Sequence, residues 1–408
     1  MRRLVFCYDH IPTISNAKRR GLTTMPLTTM PLSDSIYHFR PGQGPTKKPL
    51  LVFFITGNPG LIDYYRVTLN CLFATLCARD SDTELHVCGT SLIGFDTTPP
   101  TRHTAQTSPV GLAQQIRYVT ERFTSTARII SKQWDGETIP VVLVGHSIGS
   151  YMLLEAIAEW QATPAESRPP MDIVGGICLF PTVVDIAKSP TGRAVAPLLR
   201  LPWSTLLAQL IVRLIFYFVP VSIMTLLIRM LTRFEPAAAK TTAHFLKSKH
   251  GVRQALFLAK DELRTVRSDV WPDSLWGIRP LQELTSTITD VTNVNDLRKD
   301  SAIRKRSSTT TTPIHAKGLG IPAPLTRLYF YWSADDHWVA KSTRDQLIAT
   351  RGRNGGGKGG VSSLGKACKP VMEIDKHGIP HAFPVVAEHG RMVAGKVAEW
   401  IGQIMTAL

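Results

Sequence analysis

Acidic side chains are in short supply in this 408-residue chain: 31 Asp and Glu face 47 Lys and Arg, leaving a formal charge of +16 and a pI near 9.8. A surplus of that size points to an anionic partner, either nucleic acid or the headgroups of a membrane surface. Nucleic-acid recognition has no vehicle here, because zinc-ligand spacing, an RNA-binding sheet motif and a basic helix with base-reading polar residues are all missing. The headgroup reading is therefore preferred. Cysteine is sparse as well. The six residues Cys7, Cys71, Cys77, Cys88, Cys178 and Cys368 form no C-x-x-C pair, which argues against a disulfide framework or redox motif and suits a reducing compartment. The absence of any N-x-S/T acceptor and of a signal-peptide apolar region argues against secretion. No cofactor and no metal are expected, nor is an obligate protein partner. What the chain does have is apolar content, 44% of its residues. That excludes a globally disordered polypeptide and allows one domain of about 250 to 300 residues with additions.

The most informative stretch is Pro140-Val-Val-Leu-Val-Gly-His-Ser-Ile-Gly-Ser-Tyr151. Its Val and Leu run suits a strand buried on both faces, and the Tyr151–Trp160 segment that follows is compatible with a helix. Between them Gly145-His146-Ser147-Ile148-Gly149 is a G-x-S-x-G placed at a strand-to-helix turn, where the two glycines let neighbouring backbone pass close and the Ser147 hydroxyl projects above the sheet. The alternative is that Ser147 only caps the following helix. Further apolar runs predict strands at Pro49–Thr56, Glu84–Thr90, Asp172–Phe180, Leu325–Trp332 and Pro370–Asp375. Helical spacing of Leu112, Ile116, Val119 and Phe123 predicts a helix over Val110–Gln133, and Met392, Val393, Val397, Trp400, Ile401 and Ile404 predict another that closes the chain. Strands alternating with helices make a doubly wound, mostly parallel sheet.

A serine hydroxyl needs a base, and the base needs an acid that fixes its tautomer. In an α/β-hydrolase arrangement the acid and then the histidine follow the serine, each on a loop after a late strand. The strand ending at Trp332 is followed by Asp335-Asp336-His337, and the strand ending at Asp375 by His377 and His381. Asp336 and His381 are the chosen partners of Ser147. Asp335 and His377 are neighbours able to exchange roles with them, and Asp185 is a rival acid. His146 adjoins Ser147 and its ring should point away along the turn, so it is not assigned as the base. A loop at the end of the first parallel strand, Gly57-Asn58-Pro59-Gly60, is where a second oxyanion amide belongs. Pro59 has no N–H, so Asn58 is the preferred donor and Gly60 the next, alongside the amide of Ile148.

The chain is expected to divide into an N-terminal extension, residues 1–48, basic and largely disordered, and a hydrolase-like domain over 49–408. Within the latter, 189–284 reads as a helical cap, and 285–318 and 351–366, rich in Ser/Thr and Gly respectively, read as flexible insertions. The core of the cap, 201–228, contains one charge, Arg213, and is divided by Pro220. A straight spanning helix needs about 20 apolar residues, and a central proline kinks it. Two unequal arms flanked by Arg200, Arg229 and Arg233 therefore suggest a hairpin that enters and leaves one lipid leaflet on the same side. That is preferred to a plain apolar cap or a spanning helix, and the hairpin and cap readings are compatible.

Taken together, Ile55-Thr-Gly-Asn-Pro-Gly60 with Tyr64-Tyr65, Gly145-His-Ser-Ile-Gly-Ser-Tyr151, Phe180-Pro-Thr182 with Ser189-Pro-Thr-Gly192, Asp336-His-Trp338 and Ile379-Pro-His-Ala-Phe383 resemble the lipid droplet-associated hydrolases over about residues 50–400. The resemblance implies an α/β-hydrolase fold with an apolar cap or hairpin insertion. It also implies residence on lipid droplets and the cytosolic face of the endoplasmic reticulum membrane, and a neutral-lipid substrate of the sterol ester or acylglycerol type. The resulting expectation is a serine hydrolase of carboxylic esters working at a phospholipid monolayer or membrane surface. The alternative is a droplet-docking protein of the same fold with little turnover. The N-terminal extension and the two insertions depart from the family pattern.

Overall fold

Unbroken runs of Val, Leu, Ile and Phe set the sheet, because a strand covered on both faces has no place for a polar side chain. The computed structural model describes residues 34–43, 49–95, 108–232, 234–278, 326–353 and 369–408. Among them are seven strands: β1 (Ser35–Arg40), β2 (Leu50–Ile55), β3 (Leu85–Thr90), β4 (Ile139–His146), β5 (Met171–Leu179), β6 (Arg327–Trp332) and β7 (Val371–Ile374). They form one sheet in the order β1-β3-β2-β4-β5-β6-β7. All neighbours are parallel except β1, which runs antiparallel along β3. The side-chain period of two is followed closely in β2, where Leu51, Phe53 and Ile55 enter one core layer and Leu50, Val52 and Phe54 the other.

Helices cover both faces. α1 (Arg66–Arg79) and the C-terminal α10 (Ala387–Thr406) lie on one; α2 (Leu112–Gln133) and α3 (Ile148–Ala162) lie on the other. α3 is apolar on nearly every side and correspondingly buried, from Ile148 through Met152, Leu153 and Ile157. In α10, Val393, Val397, Trp400, Ile401 and Ile404 face the core, while Met392 sits at the exposed edge of that face. This is the doubly wound α/β-hydrolase arrangement. Its sheet begins earlier than the expected boundary at Pro49. Ser35–Arg40 pairs with β3, and the half-exposed edge position accounts for its weak apolar alternation. The rest of the expected extension (1–33 and 44–48), the 285–318 insertion and residues 354–366 lie outside the described residues.

Between β5 and β6 the chain builds the cap from α4 (Pro190–Arg200), α5 (Ser204–Phe216), α6 (Val221–Thr232), α7 (Pro236–Lys247) and α8 (Gly251–Thr265). α9 (Lys341–Arg351) follows β6. Ser189-Pro190-Thr191-Gly192 is a helix start: the Ser189 hydroxyl accepts from the Gly192 N–H at 2.9 Å and Pro190 occupies the first turn. The apolar run breaks where proline demands it, with α5 ending at Phe216 and α6 beginning just after Pro220. α5 and α4 meet at 96°, and no single helix among the described residues is long and apolar enough to cross a membrane.

Register levels the strand ends. Ile55 lies opposite Gly145, Gly145 opposite Cys178, and Trp332 opposite Ile374, so the loops after β2, β4, β5, β6 and β7 emerge at one edge. Closeness there depends on two glycines. A β-carbon on Gly149 would stand 2.5 Å from the Ile55 carbonyl oxygen and 2.6 Å from that of Thr56, and one on Gly145 would stand 2.5 Å from the Gly149 oxygen. Gly149→Ala is accordingly expected to cost about 2–3 kcal/mol of stability. Urea unfolding followed by circular dichroism checks this, and an unshifted midpoint would contradict the close packing of α3 on β2.

Candidate active site

Ser147 occupies the turn between β4 and α3 with φ 54° and ψ −123°, a backbone conformation that an L-residue adopts at a cost of about 1–3 kcal/mol. The turn is held from both sides. The Ser147 N–H donates to Leu179 O on β5 at 3.0 Å, the Ser147 carbonyl accepts from Ser150 N, and the Ser150 hydroxyl donates to Gly145 O at 2.9 Å. The hydroxyl of Ser147 lies 2.9 Å from His381 Nε2, and His381 Nδ1 lies 2.7 Å from Asp336 Oδ2. All three residues are buried, Ser147 being 8% exposed. Since the carboxylate is an acceptor, it takes the Nδ1 proton; Nε2 is then left to accept the serine proton.

The two loops that bring His381 and Asp336 to Ser147 are pinned by side chains of their own. After β7 the Asp375 carboxylate accepts from the Tyr331 hydroxyl (2.6 Å) and from the N–H groups of His377 (3.0 Å) and Ile379 (2.7 Å), folding the loop around Gly378 at φ 71°. After β6 the Arg344 guanidinium donates to Ser333 O and Ala334 O, and the second Asp336 oxygen accepts from Trp338 N at 2.8 Å. The residues left open by the sequence are placed elsewhere. Asp335 is turned to solvent, its side chain 86% exposed and paired with Lys341, whose ammonium holds the carboxyl below its ordinary value. His377 is exposed and contributes only its backbone N–H, and Asp185 pairs with Lys188 on the surface.

The loop after β2 lies against the serine turn, since a β-carbon on Gly57 would stand 3.1 Å from Ser147 Cβ. Within it the Gly57 N–H is engaged by the Tyr65 hydroxyl at 3.1 Å and Pro59 has none to offer, while Asn58 N–H has no backbone partner among the described residues. Ile148 opens α3, where the first-turn amides lack intrahelical partners. Among the described residues, the N–H groups of Asn58 and Ile148 therefore have no backbone partner.

Sequence reasoning missed a second buried chain. Gly57 N–H donates to Tyr65 Oη; the Tyr65 O–H then donates to His146 Nδ1 (2.7 Å), which leaves His146 Nε2–H to donate to the His381 carbonyl at 3.0 Å. His146 thus faces away from the Ser147 hydroxyl yet ties the β2 loop to the His381 loop. Burial, and then the neighbouring His381 imidazole, hold its pKa well below the ordinary histidine value, so it stays uncharged. Glu262 on α8 was also missed, because Lys260-Asp261-Glu262 reads as a solvated helix face. It is buried and accepts from Asn58 Nδ2 at 3.0 Å. A cavity of about 740 Å³ beside the acid loop is lined by Lys188, Arg193, Asp335, Asp336, His337 and Lys341 among others, but by neither Ser147 nor His381.

A hydroxyl, an imidazole and a carboxylate in line can generate a nucleophile. The model of the lipid-droplet associated hydrolase family matches residues 48–384. The chain belongs to that family. Similar members include the lipid droplet-associated hydrolase of Homo sapiens, 28% identical over 181 residues that make up 44% of this chain and 50% of that one. The Gallus gallus protein of the same name is 26% identical over 150 residues, 37% and 42% of the two chains. The matched segments thus span about half the length of these relatives. Among solved structures, the peroxisomal α/β-hydrolase Lpx1 of Saccharomyces cerevisiae aligns over 92% of this chain and 82% of its own at 11% identity and TM-score 0.49. A soluble variant of monoglyceride lipase from the same yeast aligns over 91% and 92% at 11% identity and TM-score 0.44.

In this member of the lipid-droplet associated hydrolases, burial raises the Glu262 carboxyl from 4.5 to about 7, Asp261 adding to the rise and the Asn58 hydrogen bond opposing it. A carboxyl with a raised folded-state pKa is neutral in both states below pH 4.5, then ionises in the unfolded chain first, so stability falls as pH climbs from 4.5 through 7. A shift of this size corresponds to roughly 3–3.5 kcal/mol. Glu262→Gln is expected to unfold at a higher temperature than wild type at pH 8.5, with the gap shrinking towards pH 5. Scanning calorimetry across that range checks the sign.

Proposed function

We propose that the protein is a serine hydrolase of neutral-lipid carboxylic esters, sterol esters or acylglycerols, that works from the surface of a lipid droplet. The observation that carries the chemistry is the unbroken line Ser147 Oγ to His381 Nε2 (2.9 Å) and His381 Nδ1 to Asp336 Oδ2 (2.7 Å) at the strained turn after β4. In this reading His381 removes the Ser147 proton as Oγ attacks the ester carbonyl, Asp336 stabilises the imidazolium, and the amides of Ile148 and Asn58 hold the oxyanion. The imidazolium returns its proton to the leaving alcohol. Water, activated by the same imidazole, then frees the acyl group from Ser147. His146, kept uncharged, adds no positive charge beside the imidazolium as it forms.

Support for the surface comes from α5 and α6. Their outward faces carry Leu206, Leu207, Leu210, Leu214, Ile223, Leu226, Leu227 and Met230, all exposed, with Trp203 at the entry and Tyr217 and Phe218 at the turn. Phe218 is 88% exposed. Aromatic side chains at the ends of an apolar face are the pattern of an element seated at a lipid–water boundary. At 13 residues α5 is about 20 Å long, too short for a hydrocarbon core of about 30 Å but suited to lying in one leaflet. Arg200 and Arg229 flank the face for anionic headgroups. An oil droplet's monolayer and the cytosolic leaflet of the endoplasmic reticulum present the same boundary.

Two experiments test the two halves of this reading. A fluorophosphonate probe is expected to label the wild type, and Ser147→Ala to lose labelling and at least about 10³-fold in ester turnover with its fold retained. A folded wild type that takes no label would leave a docking protein of the same fold. For the surface, replacing Leu210, Leu214, Leu226 and Leu227 by Ser removes side chains worth about 1.5–3 kcal/mol each on burial. Flotation with triolein droplets is expected to show partition weakened about 100-fold or more, and unchanged flotation would assign docking to another element.

A further inference from the structure

Asn58 contributes only a backbone amide to the proposed reaction, yet its side chain is committed. Nδ2 donates to Ala255 O at 2.9 Å and to Glu262 Oε1 at 3.0 Å, two acceptors on α8. Two acceptors fix which end of the amide faces the cap helix. The opposite end, Oδ1, is buried with no hydrogen-bond partner among the described residues. An unpaired buried acceptor is destabilising. Burying a carboxyl beside it, with a pKa raised to about 7, adds a further cost. Local choices that work against stability while the fold around them is well satisfied are characteristic of functional sites.

α8 is itself fastened to the body of the domain on both sides of this contact. Gln254 exchanges two hydrogen bonds with Val110, Oε1 accepting from its N–H and Nε2 donating to its carbonyl, each at 2.8 Å. Asp261 Oδ2 accepts from Leu112 N at 2.7 Å, at the start of α2. The helix is therefore a fixed rail. In the loop it grips, Gly57 N–H is held by Tyr65 and the Pro59 and Gly60 carbonyls accept from Leu61 N and Leu92 N, whereas the Asn58 N–H has no partner among the described residues and Asn58 is held through its side chain.

We propose that Glu262 is a positioning residue: together with the Ala255 carbonyl it clamps the Asn58 side chain to the cap, and so aims the Asn58 backbone N–H at the oxyanion formed on Ser147. The proposal rests on the serine-hydrolase reading above. Glu262 touches no substrate and moves no proton. Because an oxyanion exists only in the transition state and the tetrahedral intermediate, loosening the clamp lowers kcat and leaves KM nearly untouched.

The test uses the full chain, p-nitrophenyl butyrate as a soluble ester, and butylboronic acid, whose tetrahedral serine adduct mimics the oxyanion. Glu262→Ala and Asn58→Ala are each expected to lower kcat about 10- to 100-fold with KM within about threefold, and to weaken boronate inhibition by the same factor as kcat. Their double variant is expected to be no worse than Asn58→Ala alone, because the pair acts as a unit. Glu262→Gln keeps an acceptor for Nδ2 and is expected to recover most of the lost kcat. Should Glu262→Ala fail to fold, Glu262→Asp, which withdraws the acceptor by one methylene, carries the same expectation. A folded, active wild type whose Glu262 and Asn58 variants keep its kcat, or lose activity through KM, or combine additively, overturns the clamp alone. A wild type that neither turns over the ester nor takes a fluorophosphonate label overturns the hydrolase reading and the clamp with it.

Discussion

The close approach of α3 to the end of β2 is the constraint from which the rest of this molecule follows. Gly145 and Gly149 allow backbone to meet backbone at distances no β-carbon tolerates, and only then does the chain turn sharply enough to leave Ser147 at positive φ with its hydroxyl free of the helix. Parallel pairing supplies the rest: strands level at their C-terminal ends deliver five loops to the same edge, and those after β4, β6 and β7 bring Ser147, Asp336 and His381 together. The strain at residue 147 is sustained because Leu179, Ser150 and Gly145 hold the turn by hydrogen bonds on both sides.

Much of this was legible in the residues. Six of the seven strands announce themselves as apolar runs bounded by Gly, Pro or Asp, and their loops carry Ser147, Asp336 and His381 in the order in which the structure brings them together. What was not legible had physical causes. β1 lies at an exposed edge and needs no apolar alternation, so Ser-Ile-Tyr-His-Phe-Arg gave no period. Adjacent Asp335 and Asp336 are chemically identical, and only the hydrogen bond from Trp338 and the pull of Lys341 on the first decide which carboxylate faces the imidazole. His146 and Glu262 act through partners 81 to 235 positions away in the chain, beyond any local pattern.

The cap joins two requirements in one segment. Its inner helix, α8, is stitched to the body by Gln254, Asp261 and Glu262, whereas α5 rests on α8 and α6 on α7, their buried side chains being Gln209 and Met224. Gln209 accepts from Arg253 N and donates to Ser248 O, so α5 is pegged by polar bonds to α8 and to the turn before it. Apolar surface is thereby saved for the outside.

That saving has a price in plain water. Side chains such as Trp203, Leu214 and Phe218 stand open to solvent, an area that monomeric proteins seldom leave uncovered. On the proposed reading, copies without an oil surface would be driven to cover one another instead. On the droplet-surface reading proposed above, the quantity of this protein that can persist as a dispersed, folded species would be tied to how much oil surface exists to receive it, and shrinking that surface would strand the surplus as aggregate or as a substrate for degradation.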